Sequence, residues 1–316
     1  MDKQDKIYVA GHRGNAGSAI LKVLKDNGYD NFVLKTHSEL DLIDSAAVKS
    51  FFEQEKPDIV FLAAALVGGI KANMSRPGDF IYENLMIQNN VIHNSMLAKV
   101  KKLCFLGSSC IYPRECPQPM KEEYLLTGPF EPTNEGYAVA KFAGYKMCQL
   151  YAEQYGLKSI SIMPCNLYGP NDSFDLEHCH VLTALVKRFS DAVKESKDEI
   201  TLWGTGSAKR ELMHVDDMAK AAVYLTETRE DSEFINVGTG VDISIKDLAE
   251  MIAEKTGYKG KINWDTAKPD GMPRKCLDIS RLLEAGYTPS IPLGKGVDEV
   301  IKAYQVELGP SETCIK

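Results

Sequence analysis

The sequence lacks any surplus of positive charge. Lys and Arg total 37 against 44 Asp and Glu, giving a net charge of −7 at pH 7. That balance argues against nonspecific nucleic-acid binding, while leaving room for a local basic pocket. No apolar run approaches the eighteen or more residues of a membrane span, so no membrane partner is expected. The eight cysteines include no C-x-x-C pair, and the charged start MDKQDK leads straight into an apolar stretch rather than an export signal. A cytoplasmic setting with reduced, mostly buried thiols is the expectation, with no metal site. Internal repeats, low-complexity segments and charged tails are also missing. What remains is a chain of 316 residues, enough for one large α/β unit or two lobes.

Residues 6–10 (KIYVA) read as a short buried strand. The turn GHRGNAG follows, then the amphipathic run SAILKVLKDNG, a helix ending near Gly28. Strand, glycine turn and helix in that order are the context a dinucleotide fingerprint requires. Gly11, Gly14 and Gly17 permit a tight turn and let a pyrophosphate approach backbone N–H groups at the helix N-terminus. The second strand, residues 32–36 (FVLKT), selects the cofactor. An acid at its end would bind the ribose 2′-OH of NAD. Here the positions are Lys35, Thr36 and His37, with no acid before Glu39, and Arg13 adds positive charge within the glycine turn. NADP is therefore expected over NAD.

Asp44 or Ser45 can cap the next helix. A third strand, DIVFLAAALVGG, ends in the small residues Ala63 to Ala65, where a backbone can pass close to a cofactor. A helix over 79–98 carries Asn84. The strand KKLCFLGSSCIYP ends in Ser108, Ser109 and Cys110, and strand carboxyl ends face the ligand crevice of a parallel sheet. SISIMPCNLYGP reads as another strand and exit loop. FINVGTG reads as a strand returning to the first lobe, helices are expected over 244–256 and 294–306, and DTAKPDGMPRKCLDISR reads as a loop. The expected fold is α/β, a Rossmann-like doubly wound parallel sheet over residues 1–168 with a returning segment near 214–240. A smaller substrate-binding lobe takes up most of 169–316.

Tyr137 and Lys141 lie four apart in PTNEGYAVAK, on one face of a helix over 137–155. An ammonium beside a phenol lowers the phenol pKa from about 10, which makes the tyrosine a usable proton donor or acceptor. Dinucleotide turn, serine pair and tyrosine together suit hydride transfer to a carbonyl.

These residues resemble the extended short-chain dehydrogenase/reductase superfamily and, within it, the GDP-L-fucose synthase family. The likeness runs nearly end to end. It is carried by GHRG with Gly17, LAAALVGGI, FLGSSCIYP, EPTNEGYAVAK, NLYGP, the CHV loop, LWGTG, NVGTG and KPDGMPRK. The resemblance implies conversion of GDP-4-keto-6-deoxy-D-mannose to GDP-L-fucose, by 3,5-epimerisation and NADPH-dependent reduction at C4. It assigns Tyr137 as proton donor to the C4 oxygen, Lys141 to the cofactor ribose, Ser108 to the C4 oxygen, Cys110 as epimerisation base and His180 as acid. It implies NADP(H) contacts at Gly11, Arg13, Gly14, Asn15, Ala16, Gly17, Lys35, Asp41, Leu42, Ala64, Lys141, Pro164, Asn166, Leu167 and His180. It implies contacts to a GDP-sugar at Ser109, Asn166, Arg188, Trp203, Arg210 and Asp270. A homodimer through the 79–98 and 137–155 helices is the expected assembly.

The chemistry agrees with this assignment. C3 and C5 flank the C4 ketone, so loss of either proton gives an enolate that donors on the oxygen stabilise. A thiol can serve as the base and an imidazole as the acid. His178 rivals His180 in the same loop, and His214 has a structural role beside Asp216 and Asp217. Lys187 and Lys209 are read as solvated charges. Four positions depart from the family pattern: Asn15 and Ala16 replace apolar residues, Cys165 replaces Thr, and Lys35 replaces Arg, which costs a bidentate fork on a 2′-phosphate. The alternatives are an NAD-dependent nucleotide-sugar 4-epimerase and a noncatalytic dinucleotide sensor.

Overall fold

The computed structural model describes residues 1–175, 179–268 and 270–307. His178 and Pro269 of the KPDG run lie outside them. The first half alternates strand and helix: β1 (Ile7–Ala10), α1 (Asn15–Asp26), β2 (Phe32–Val33), α2 (Ser45–Glu55), β3 (Ile59–Leu62), α3 (Ile70–Ser75), α4 (Pro77–Leu97), β4 (Lys102–Leu106), α5 (Glu135–Tyr155) and β5 (Ser159–Pro164). There follow β6 (Asn166–Tyr168), α6 (Val181–Lys194), β7 (Glu199–Trp203), β8 (Lys209–His214), α7 (Val215–Thr228) and β9 (Phe234–Val237). The chain ends through β10 (Asp242–Ser244), α8 (Ile245–Thr256), β11 (Lys261–Asp265), β12 (Arg274–Lys275), α9 (Ser280–Glu284) and α10 (Leu293–Glu307).

Six strands form a fully parallel sheet in the order β2-β1-β3-β4-β5-β9. Its inner strands are buried on both faces, which is why KIYVA, DIVFL and KLCFL read as continuous apolar runs. β9 completes the edge beside β5, with Ser161 opposite Phe234 and Pro164 opposite Val237. This is the Rossmann-like α/β architecture. β8 organises the remainder: it pairs with β10 antiparallel and with β6 and β12 in parallel, while β7 and β11 form a separate parallel pair. One hydrophobic core follows the six-stranded sheet, and another joins α6, α8 and α10.

Local chemistry sets the ends of the elements. The Asp44 side chain caps α2, accepting from the Ala46 and Ala47 N–H groups. Pro77 opens α4 at a position where its missing N–H costs nothing. Gly156, at φ 71°, closes α5 in the left-handed conformation. Some expectations change. β2 stops at Val33, because Thr36 turns back to bond Glu39 through its N–H and its hydroxyl, at 2.8 and 2.7 Å. The stretch expected as a single loop near 265–281 contains β12, drawn in by pairing of Lys275 with Arg210, and the start of α9. Lys187 is no free solvated charge: its ammonium donates to the Tyr304 hydroxyl at 2.7 Å and lies 3.3 Å from Asp191.

A buried amide prepares the ligand side of the sheet. Asn84 on α4 accepts from the Leu66 N–H and donates to the Leu66 carbonyl, both at 3.0 Å. The loop leaving β3 is thereby fixed where β3 delivers it. A second buried group, the Glu211 carboxylate on β8, takes N–H bonds from Thr239, Gly240 and Leu277 at 2.6–2.7 Å. It joins the exit of β9 to the segment after β12.

Candidate active site

A cleft of about 1830 Å³ runs along the carboxyl ends of β1, β3, β4 and β5 and out to β7, β8 and β12. At one end lies the glycine turn. Gly11, at φ 81°, brings its backbone so close to the β3 exit that a Cβ would stand 2.8 Å from the Ala64 nitrogen. A Cβ on Gly17 would stand 2.1 Å from the Gly11 carbonyl oxygen, so only glycine lets α1 begin under the turn. Gly14 precedes α1 and no side chain caps the helix, which leaves the first-turn N–H groups turned to the cleft. This cradle suits a diphosphate. Arg13, Lys35, Asp41, Leu42 and Ala64 line the same end, with Pro164 and Leu167 further in. The Asn15 side-chain oxygen is buried against the Gly169 turn, where a Cβ would come within 3.2 Å of it.

In the middle of the cleft, β4, α5 and the loop before α6 meet. Ser108 sits just past β4, and its hydroxyl accepts the Cys110 N–H at 3.2 Å. Ser109, only 3% exposed, lies beneath. Lys141 is buried, and its ammonium donates to the Leu106 carbonyl at 2.8 Å while standing 5.8 Å from the centre of the Tyr137 ring. Here the electrostatics differ from expectation. Burial pushes the Tyr137 phenol well up, with Cys110 adding to the effect and a hydrogen bond from Ser108 opposing it. Burial also lowers Lys141 to about 8. The helical spacing brings lysine and tyrosine together as expected, but burial of the phenol, and not the ammonium, dominates its pKa. Tyr137 therefore carries its proton at neutral pH.

Two donors meet the Cys110 sulfur that linear reasoning did not identify. Asn134 Nδ2 is 3.2 Å from Sγ and Lys275 Nζ is 3.5 Å from it. Asn134 comes from the turn just before α5 and Lys275 from β12. Across the cleft, His180 is the residue before α6, and its Nδ1 lies 3.4 Å from Asp172 Oδ2. Its pKa is raised, chiefly by Asp172, with burial opposing. Asp172 was also missed, because no spacing rule joins an acid to a histidine across a loop.

At the far end, Trp203 is 63% exposed, with the Lys268 ammonium 5.5 Å from its ring centre. Arg210 donates to the Met272 carbonyl at 2.6 Å, holding the loop before β12. Burial pulls its pKa down, while Asp270 and Glu131 act in the opposite sense. Asp270 accepts the Thr205 N–H and hydroxyl at 2.6 and 2.8 Å, so its oxygens already fasten the β7–β8 turn. Asn166 donates to the Glu211 carbonyl at 3.0 Å and also reaches the cleft. Arg188, on α6, is not part of the cleft wall. His214 is buried and accepts the Asp216 N–H at 3.2 Å, a structural arrangement. Among the described residues no cluster of three or more His, Cys, Asp or Glu could hold a metal ion, and no helix is long and apolar enough to cross a membrane.

Comparison with known proteins agrees with this geometry. The NAD dependent epimerase/dehydratase family matches residues 7–238. The chain is 54% identical over 303 residues to GDP-L-fucose synthase 1 of Arabidopsis thaliana, covering 96% of this chain and 94% of that protein. Among solved structures it is similar to a GDP-6-OMe-4-keto-L-xylo-heptose reductase from C. jejuni, with a TM-score of 0.91, 38% identity, and coverage of 97% and 99% of the two chains. It is also similar to a GDP-L-fucose synthetase from Naegleria fowleri bound to NADP, with a TM-score of 0.89, 25% identity, and coverage of 98% and 96%. The chain belongs to the NAD dependent epimerase/dehydratase family, where it stands among the GDP-L-fucose synthases.

Proposed function

We propose that this protein converts GDP-4-keto-6-deoxy-D-mannose to GDP-L-fucose, epimerising C3 and C5 and reducing C4 with NADPH. The observation that carries this reading is the Cys110 sulfur, met by Asn134 and Lys275 donors in the cleft that also holds Ser108, Tyr137, Lys141 and His180. A nucleotide-sugar 4-epimerase has no use for a thiol so placed.

The glycine turn and the open first turn of α1 would hold the cofactor diphosphate, and Arg13 and Lys35 would take a 2′-phosphate. NADPH bound there supplies the hydride for C4. The protein's own work is proton transfer. Ser108 and Tyr137 direct donors at the C4 oxygen, so that negative charge can build there when a neighbouring C–H bond breaks. Cys110 takes the proton from C3 or C5, and the electron pair passes to the C4 oxygen as an enolate. His180 returns a proton from the opposite face, the oxygen's electron pair re-forms the ketone, and the centre is inverted. In the reductive step C4 gains hydride, and the phenol proton of Tyr137 goes to the C4 oxygen to give the alcohol. Buried Lys141 sets the tyrosine's surroundings and would meet the cofactor ribose. Trp203, Arg210 and Asn166 would contact the GDP-sugar, with Asp270 holding the turn that presents Trp203.

The finer points of setting are part of the same proposal. Tyr82 and Leu97 on α4 and Leu150 and Tyr155 on α5 are exposed on two helices that pack together. They support a homodimer through these helices, which a monomeric sedimentation profile at micromolar concentration would sink. A cytoplasmic location suits seven free thiols among the described residues.

The decisive experiment mixes the protein with GDP-4-keto-6-deoxymannose and NADPH in D2O. NADPH oxidation with deuterium at both C3 and C5 of a fucose-configured product is the expected result. Oxidation without deuterium would demote Cys110 and His180 and leave a plain C4 reductase.

A further inference from the structure

Asp172 and His180 stand at the two ends of one loop between β6 and α6, and the fold locks both. The Asp172 side chain is 8% exposed. Its Oδ1 accepts the Ser173 N–H at 3.0 Å, and its Oδ2 accepts the Thr183 hydroxyl at 2.7 Å. Its own N–H donates to the Gly169 carbonyl at 3.1 Å, tying it to the end of β6. Thr183 is fully buried in the first turn of α6, three residues after His180. Carboxylate and imidazole are thus fixed to the same helical turn.

The His180 ring is two-sided. Nδ1 is buried and has no hydrogen-bond partner of good geometry among the described residues, and the nearest carboxylate oxygen is Asp172 Oδ2 at 3.4 Å. The side chain is nevertheless 42% exposed and lines the cleft, so its exposure is carried by the edge away from Asp172. A neutral imidazole has one N–H and one bare nitrogen, and its neighbours decide which is which.

We infer that Asp172 is a positioning residue for His180: its carboxylate holds the Nδ1–H tautomer, so that Nε2 is the nitrogen presented to the sugar. The consequence for turnover rests on the epimerase reading proposed above. His180 must hold a proton on the cleft side when an enolate forms. With Nδ1–H kept toward Asp172, protonation at Nε2 gives the imidazolium, and donation from Nε2 to carbon returns the same neutral tautomer. The ring need not turn between the C3 and C5 steps. A second, independent benefit is charge. Asp172 stabilises the imidazolium and is the largest cause of the raised His180 pKa. The other titratable groups around the site are Cys179, next to His180 and under the influence of Asp172, Asp175 and Arg188, then Tyr137, Lys141, Cys110 and Lys275 on the cleft walls, with Arg13, Glu299, Lys302 and Glu307 lining a side cavity beyond Asp172.

A raised imidazole pKa keeps the acid form available as pH climbs past the ordinary value, and loss of the carboxylate moves that limit to lower pH. Asp172→Asn keeps the shape and removes the charge. Deuterium wash-in at C3 and C5, followed from pH 6 to 9, should slow by at least about tenfold at alkaline pH, with its alkaline limb moved to lower pH. NADPH affinity should stay within about twofold, since Asn can keep the bonds to the Ser173 N–H and the Thr183 hydroxyl that place the loop. Asp172→Glu should recover part of the rate and the limb. Unchanged wash-in with an unchanged limb overturns the inference. So does an equal loss at every pH accompanied by weakened NADPH binding, which would mark a merely structural residue.

If Asp172→Asn fails to fold, the wild-type protein still decides. In ¹⁵N-histidine NMR, with His180 assigned through His180→Gln, the neutral ring should carry its proton on Nδ1 and titrate at Nε2. A neutral ring protonated on Nε2 overturns the inference. Absence of wash-in by the wild-type enzyme would instead overturn the epimerase reading, and the NMR tautomer would still settle the hold of Asp172 on the ring.

Discussion

Lys275 Nζ lies 3.5 Å from Cys110 Sγ, although the two residues are 165 positions apart in the chain. Cys110 follows a strand of the cofactor sheet, whereas Lys275 sits on β12 beside Arg210. The surroundings of the proposed base are therefore completed by the part of the chain that would hold the sugar nucleotide.

Replacing Lys275 by Met removes a positive partner from the sulfur while keeping a long side chain. Deuterium wash-in at C3 and C5 should slow on the order of 100-fold, as for loss of one charge-stabilising donor. Reduction of an already epimerised 4-keto sugar should change far less. Equal losses in both assays would mean that Lys275 serves substrate binding and not Cys110.

Tyr137→Phe removes the proton donor proposed for the C4 oxygen. NADPH consumption should fall by about 10²–10⁴-fold. Exchange at C3 and C5 should persist, because Ser108 still faces that oxygen. An NMR time course in D2O reads both, and loss of exchange together with reduction would make Tyr137 essential to both steps.

Lys141 gives a pH test that needs no substrate. Its folded pKa, about 8, lies below the reference of 10.5, so between those values the unfolded chain binds more protons. Charging the buried ammonium destabilises the wild-type fold most at or below pH 8, and the cost fades as pH rises. In urea denaturation of wild type and Lys141→Met, the difference between them should move in favour of wild type by about 2 kcal/mol from pH 7 to 9.5. A pH-independent difference would show that burial does not depress this lysine.

Gly17→Ala places a methyl 2.1 Å from the Gly11 carbonyl, a backbone atom that no side-chain rotation can relieve. The variant should lose about 1–3 kcal/mol of stability, in the range of overpacking substitutions. NADPH affinity should fall by more than tenfold, since the turn itself must shift. Fluorescence titration and denaturation together check this, and normal affinity would contradict the cradle described above.

The sequence is most legible where a feature is local. KIYVA followed by GHRGNAG is a strand, a turn and a helix start because burial, glycine geometry and helix-end N–H groups all act within a few residues. Tyr137 and Lys141 share a helix face for the same reason. Direction of the tyrosine shift was not legible, since it depends on how deeply folding buries the Tyr137 phenol and on Cys110 beside it. Asn134, Lys275 and Asp172 were hidden because each acts on a partner brought near only by folding. Lys275 even lay within KPDGMPRK, a stretch quoted for its likeness alone. Arg188 is a different case: a guanidinium on an amphipathic helix looks available for phosphate, and α6 sets it close enough to Cys179 to act on that thiol, just outside the residues that line the cleft.

The position of β9 bears on how the protein is made. Strand β5 finds its outer neighbour only when Phe234–Val237 arrive, about three quarters of the way along the chain. On the ribosome, the nascent sheet must wait with one flank bare while β6, α6, β7, β8 and α7 are synthesised. An unpaired flank of this kind invites sticking to other chains. A fragment truncated before residue 234 should thus emerge with the β5 edge unpaired, as a client of chaperones.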